Sequence, residues 1–385
     1  MSLRELPRHL AAFDRHIERR GTSSVKWNRY GDRDILPLWV ADMDFSSPPE
    51  VLNALHERVD HAVFGYTEPP DGLVDAFRGH ALAQYGWSIQ PDWLIWLPGL
   101  VPGLNLACSA VGRPGDAVIT AVPVYPPFLS APSRSGRERI TVPLRQQGGS
   151  WSWDFDALES ANTPRARLLL LCHPHNPVGR AWRPEELQVL IDMARRHDWV
   201  ICSDEIHCDL LLEPGAKHRP LASLAPDFAE RTITLMAPSK TWNLAGLGSA
   251  VAVIPDPALR RRFQRDMTGF VPHPNLLGYI AAEAAYRHGE PWRRDLIEYL
   301  GHNRRLLADW LEGSKRLDCC LPEATYLAWI DARAIEAEHP LPAFEALGVG
   351  LSDGRDFGSP GFVRLNFGCR RAVLEEALRR MQPLR

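Results

Sequence analysis

Between residues 93 and 254 short apolar runs alternate with stretches whose apolar residues recur every three to four positions. The runs span 93–97, 117–122, 140–144, 168–172, 199–203, 232–236 and 249–254, and the clearest helical stretches are 184–197 among them and 258–267 just after. This alternation predicts an α/β fold, a largely parallel sheet covered by helices. Ahead of it, 48–61 reads as a helix with Pro48 or Pro49 in its first turn, where the missing N–H does no harm, and 72–85 reads as a second. Behind it come two long helical stretches, 275–288 and 291–311, which look like a connector. Strand-like runs at 326–331 and 362–367 and a last helix at 372–381 then read as a small α+β unit. The expected organisation is an N-terminal arm and part of the small domain over 1–45, a large domain over 46–275, and connector helices with the small C-terminal domain over 276–385.

Composition narrows this picture. The 385 residues are 45% apolar and 24% charged, as in ordinary globular proteins, so disordered and fibrous classes are excluded. Forty-seven acids against forty-four bases leave a net charge of -3, and the basic clusters at 260–262 and 379–380 are short, so no nucleic-acid partner is expected. No apolar run approaches the ~20 residues of a membrane span. The charged first twenty residues lack an apolar signal segment, and seven cysteines without CxxC spacing fit a reduced, cytoplasmic protein.

In open α/β sheets ligands collect at the carboxyl ends of strands. Three such ends carry polar or reactive side chains: LLLLCHPHNPVGR supplies Asn176, WVICSDEIH supplies Asp204 and His207, and TITLMAPSKTWNLAGLG supplies Ser239 and Lys240. A fourth, WLIWLPGLVPGL, turns through Gly99–Gly103 into a helix whose start can point free N–H groups at a phosphate. Each feature alone has a plainer reading: a solvated lysine, a capping aspartate, a turn-forming asparagine, a helix start without ligand. Together, a lysine, a carboxylate, an amide and a phosphate cradle are what pyridoxal 5'-phosphate requires. The lysine links to its aldehyde, the carboxylate holds the pyridine nitrogen protonated, the amide bonds the ring hydroxyl, and the helix start takes the phosphate.

The order and wording of LPLWVADMDF, VFGYT, PGLVPGL, PVYPPF, HPHNPVGR, SDEIHCDL, APSKTWNLAGL and GFVRLNF resemble the fold type I pyridoxal-phosphate enzymes of the aminotransferase class I/II superfamily. Within these they resemble the MalY/PatB branch of cystathionine β-lyases, over nearly the whole chain. The resemblance implies a central, mostly parallel sheet in a large domain with a smaller α+β domain. It implies the cofactor-linking lysine at Lys240, the pyridinium partner at Asp204 and the ring-hydroxyl donor at Asn176. By the same resemblance, Tyr125 is expected to stack on the ring, and Val101, Pro102 and Ser239 to surround the phosphate. Tyr66 reaches the phosphate of a partner subunit, so a homodimer with active sites at the interface is implied. Arg364, with Asn176, binds the substrate carboxylate.

Four positions depart from the pattern of relatives. Ala237 and Gly248 stand where many carry a phosphate-binding serine and arginine, and His173 and Trp242 replace residues usual in the lyase branch, which bears on substrate choice. His207 stands where many aminotransferases have a tyrosine, as in the lyase branch. The expected activity is carbon–sulfur β-elimination on L-cystathionine or a related cysteine thioether, giving thiol, pyruvate and ammonia. An aminotransferase is the alternative, and a regulatory protein that keeps the fold for ligand sensing is a reading from a different class. The cluster Cys172, His173, His175, Cys202, His207 and Cys208 matches no closed zinc spacing, so no metal is expected. Asp42 and Asp44 read as a structural or specificity-setting loop pair, and the vicinal Cys319 and Cys320 as core filler.

Overall fold

The computed structural model describes residues 7–385. Eight strands form its main sheet: β1 (Leu94–Leu97), β2 (Ala117–Val122), β3 (Glu138–Gln147), β4 (Ser150–Trp153), β5 (Ala166–Cys172), β6 (Val200–Asp204), β7 (Thr232–Met236) and β8 (Ala250–Val253). Their spatial order is β1-β8-β7-β6-β5-β2-β3-β4. From β7 to β3 neighbouring strands are parallel, while β8, β1 and β4 join antiparallel at the edges. The expected largely parallel sheet is therefore a parallel centre with antiparallel flanks. At one flank Gly148 and Gly149, both with positive φ, supply the two-residue turn that a tight hairpin needs. In β5 Leu168–Cys172 are all buried because helices cover both faces, which explains the unbroken apolar run.

Helices α1 (Pro49–Asp60) and α2 (Asp71–Tyr85) precede the sheet, and α3 (Leu100–Ala110) follows β1. Helix α4 (Pro126–Arg134) was not apparent from periodicity, since three of its nine residues are proline: two open the first turn and Pro132 sits inside. Helix α5 (Pro184–His197) buries Leu187, Leu190, Ile191 and Ala194 on one face. Its first turn carries Glu185 and Glu186 and its last turn Arg195, Arg196 and His197, the polarity that the helix dipole favours. Helix α6 (Pro257–Met267) shares a core with α3 on one side of the sheet, and α5 packs with Trp182 and Trp199 on the other. Helix α7 (Leu276–His288) lies against α1 and α2 and leads into α8 (Glu290–Leu311).

A second, antiparallel sheet contains β9 (Leu327–Asp331), β10 (Ser352–Asp353) and β11 (Phe362–Asn366), with β11 central. Its core also takes in α8, the last helix α9 (Arg371–Met381), and Leu10, Phe13, Leu38, Met43 and Phe45 from the other end of the chain. Residues 39–45 form a strap between the two sheets. Asn243, three residues after Lys240, bonds the Met43 and Phe45 carbonyls and the Met43 amide, while Asn366 on β11 donates to the Val40 and Asp42 carbonyls. Beneath the strap, fully buried Lys26 meets Asp44 at 2.8 Å, and Arg19 joins Asp42 and Asp44 at 2.9 and 2.7 Å. The acid pair of ADMDF is thus neutralised by two bases, and its role in this geometry is to hold the strap. Among the described residues no helix is long and apolar enough to cross a membrane.

Candidate active site

A cavity of about 280 Å³ opens at the carboxyl ends of the parallel strands. Cys172 and Asn176 come from the end of β5, Asp204 and His207 from β6, and Ser239 and Lys240 from β7. Tyr125 before α4, Gly99–Pro102 at the start of α3, Val40 and Ala41 of the strap, and Arg364 of β11 complete it. Residues up to 324 positions apart in sequence are brought together (40 and 364). Every site residue expected from the sequence except Tyr66 lines this one cavity.

The Lys240 Nζ donates to the Ala41 carbonyl at 2.5 Å, and the same oxygen accepts the Tyr326 hydroxyl at 3.1 Å. Burial, aided by the nearby Arg364 charge, lowers the lysine to about 8 against the pull of Asp42 and Asp204. Near neutral pH its amine thus exists partly as the free base, the form that attacks an aldehyde or takes a proton. Asp204 is pushed the other way, up to about 7, because burial dominates and Glu205 adds repulsion. Its carboxylate accepts the Ile206 amide at 3.1 Å and has no basic side chain within ion-pair distance among the described residues. His207 is held neutral, lowered to about 3 chiefly by burial, and its Nδ1 has no partner.

On β11, between β9 and β10, Arg364 is 4% exposed. It donates to Asn176 Oδ1 at 2.9 Å, to the Trp39 carbonyl at 3.0 Å and to Ser352 Oγ at 3.3 Å, with its guanidinium over the Phe357 ring. Among the described residues no carboxylate pairs with it and Nε lacks a partner, and burial lowers it to about 10. A buried guanidinium held in place by neutral acceptors is poised for an anion from outside the chain.

Tyr66, by contrast, is fully exposed beside Val63 and Phe64, both more than half exposed, and does not reach its own cavity. The departures at His173 and Trp242 also fall outside it. The His173 ring lies 4.5 Å from that of His218, which bonds Glu205 at 2.7 Å, and the Trp242 indole donates to the Gly289 carbonyl. Neither contributes to the cavity wall, so a bearing on substrate choice through direct contact is not what this geometry offers. His175 bonds the Pro123 carbonyl. Among the described residues no group of three or more His, Cys, Asp or Glu side chains is arranged to hold a metal. Ser249, which the sequence reading overlooked inside an apolar run, lines the cavity with its hydroxyl buried and unpartnered.

Two buried charged groups in one cavity therefore lack a counter-ion among the described residues: the Asp204 carboxylate, held only by the Ile206 amide, and the Arg364 guanidinium, held only by neutral acceptors. A ligand with a cationic ring nitrogen and a carboxylate supplies what each lacks, and a phosphate suits the helix start at Gly99–Pro102 on the same wall, so the residues present fit pyridoxal phosphate carrying an amino acid. The model of the aminotransferase class I and II family matches residues 33–381. The chain belongs to this family. Within it, the chain is similar to cystathionine beta-lyase PatB of Bacillus subtilis (strain 168), at 40% identity covering 96% of this chain and 98% of that one. Among solved structures, that of OvoB is 47% identical with a TM-score of 0.95, covering 97% and 98% of the two chains. Cystalysin from Treponema denticola, whose structure contains pyridoxal 5'-phosphate, is 34% identical with a TM-score of 0.91, covering 97% and 98%. The fold is that of the fold type I pyridoxal-phosphate enzymes, as the resemblance in sequence implied.

Proposed function

We propose that the protein is a pyridoxal-phosphate-dependent carbon–sulfur β-lyase that cleaves L-cystathionine or a related cysteine thioether to thiol, pyruvate and ammonia. The observation that carries this reading is the cavity in which Lys240, Asp204 and Arg364 converge with no counter-ion for either the carboxylate or the guanidinium. The similarity to a cystathionine β-lyase over nearly the full chain supports the reaction class. When bound, the cofactor supplies an aldehyde for covalent attachment and a ring that accepts the electron pair released at the substrate α-carbon.

This chain's residues do the rest. Lys240 Nζ would hold the cofactor aldehyde and, as a free amine, would take the substrate α-proton. Asp204 would keep a proton on the ring nitrogen, and its buried site would strengthen that charge pair. Asn176 would bond the ring hydroxyl, Tyr125 would stack on the ring, and His207 also lines the cavity. Val101, Pro102 and Ser239 would hold the phosphate. Arg364, fixed by Trp39 and Ser352, takes the α-carboxylate in its fork and so sets which α-bond faces Lys240. With the α-proton on Nζ, the thiolate would leave from the β-carbon, and water would then convert the remaining three-carbon unit to pyruvate and ammonia.

We read the enzyme as a cytoplasmic homodimer with one domain over 46–275 and a second built from both chain ends. Seven unpaired cysteines fit a reducing compartment. The exposed Val63, Phe64 and Tyr66 fit an arm that reaches a second copy. Two inactive variants, Lys240→Ala and one altered at Tyr66, should regain part of the wild-type rate after subunit exchange, because one composite site per mixed dimer is intact. Absence of recovery despite demonstrated exchange would argue for self-contained sites.

Elimination should outrun transamination. Both reactions begin with the same proton transfer to Lys240, so they divide afterwards, according to whether a proton returns to the cofactor or the thiolate leaves. With L-cystathionine, pyruvate and thiol are expected without any added keto acid, and the cofactor is expected to stay in its aldehyde form. Turnover that requires a keto-acid acceptor, and that leaves the amine form of the cofactor when the acceptor is withheld, would instead establish an aminotransferase.

A further inference from the structure

A second buried carboxylate follows Asp204 directly, outside the cavity. Side chains alternate along a strand, so at the end of β6 Asp204 turns to the cavity while Ser203 and Glu205 share the opposite side. There Glu205 is 0% exposed and accepts from Ser203 Oγ at 2.8 Å, from His218 Nε2 at 2.7 Å and from the Leu221 amide at 3.0 Å. Among the described residues no lysine or arginine pairs with it.

The groups around this cage bring it no positive charge. His173, whose ring lies 4.5 Å from that of His218, Tyr85, whose ring lies 5.5 Å from it, and Cys208 are all held uncharged, chiefly by burial. Arg180 is committed to Glu186 and Glu323, and His80 to Asp209. Through the strand lie Asp204 and Lys240. The His218 Nδ1 has no partner, so a second proton on that ring would leave a buried charged N–H without an acceptor. The geometry therefore favours an imidazole that donates through Nε2 and leaves the negative charge on Glu205. His173 ties the cage to the site, since its amide donates to the Asp204 carbonyl at 2.9 Å. In a dry interior a like charge beside a carboxyl group strengthens that group's hold on a proton.

We propose that Glu205 is a positioning residue for the cofactor: its charge, caged by Ser203, His218 and Leu221, strengthens the hold of Asp204 on the proton it shares with the cofactor's ring nitrogen. The inference rests on the functional reading above and adds to it a carboxylate that does not line the cavity. At pH 8 Asp204 is mostly ionised before the cofactor arrives, so binding brings a proton in, and Glu205 favours that uptake.

Glu205→Gln removes the charge and keeps the size. By absorbance titration of cofactor-free protein at pH 8, it should raise the Kd for pyridoxal 5'-phosphate about three- to tenfold, but by less than about twofold when both proteins compared carry Asp204→Asn. An unchanged Kd, or an equal loss in both backgrounds, would overturn the inference while the lyase reading stands. Should the glutamine variant not fold, His218→Lys brings a permanent cation to the same carboxylate and should give the same rise, again only with Asp204 in place; no rise, or one independent of Asp204, overturns the inference. If wild-type protein takes up no pyridoxal 5'-phosphate, the functional reading itself falls, and this inference with it.

Discussion

Lys240→Ala should remove the visible absorption of the protein-bound cofactor and lower kcat by at least about 10³-fold, while the protein keeps its fold. The size follows from two losses at one atom. The Nζ is both the covalent anchor of the aldehyde and the base for the α-proton, and general base catalysis alone is commonly worth 10²–10⁴. The Ala41 carbonyl and Tyr326 hydroxyl that surround the amine belong to the strap and to the second sheet's unit, so the cavity wall survives the truncation. Absorbance, steady-state pyruvate formation and circular dichroism on the same preparation check this. A variant that retains both colour and turnover would remove Lys240 from the mechanism.

Asp204→Ala should lower kcat by on the order of 10² or more, since one preorganised electrostatic partner of the ring nitrogen is lost. The same carboxylate carries a separate thermodynamic signature. Its folded-state value of about 7 lies above the ordinary 3.8, so the cofactor-free native state binds more protons than the unfolded chain across that interval. Stability of the cofactor-free protein should accordingly fall as pH rises from about 4 to 7 and level off above, with a total cost of roughly a few kcal/mol from this group. The near-isosteric Asp204→Asn should abolish that fall and melt higher than wild type at pH 8 without cofactor, yet turn over far more slowly with it. Melting curves at pH 5 and pH 8 alongside kcat separate the two effects; a variant less stable at pH 8 and fully active would contradict both.

The parts of this structure that declare themselves in sequence are those whose environment is uniform along the chain. The run Leu168–Cys172 is apolar at every residue because both faces are covered, and α5 repeats its apolar positions because one side faces a core. Asn176, Asp204 and Lys240 were legible because strand ends in such a sheet share one edge, so neighbours in space have recognisable addresses in sequence. Helix α4 was not, because proline at its start is favourable only once the start is known. The antiparallel edges were missed too, since an apolar run carries no strand direction. The environments of His173 and Trp242 were equally invisible, as both are set by partners more than forty residues away.

The strap over residues 39–45 bears on how the protein is made. Its carbonyls are held by Asn243 and Asn366, and the cavity it closes also needs Arg364. A chain growing from its N-terminus emerges with the strap early and must wait for more than three hundred further residues before β11 can fasten it. Contacts of such separation form slowly, and surfaces that wait for them stay open to wrong partners. Until synthesis is nearly finished, then, Leu38, Met43 and Phe45 have no core to enter, and the nascent chain is most dependent there on whatever shields apolar segments during translation.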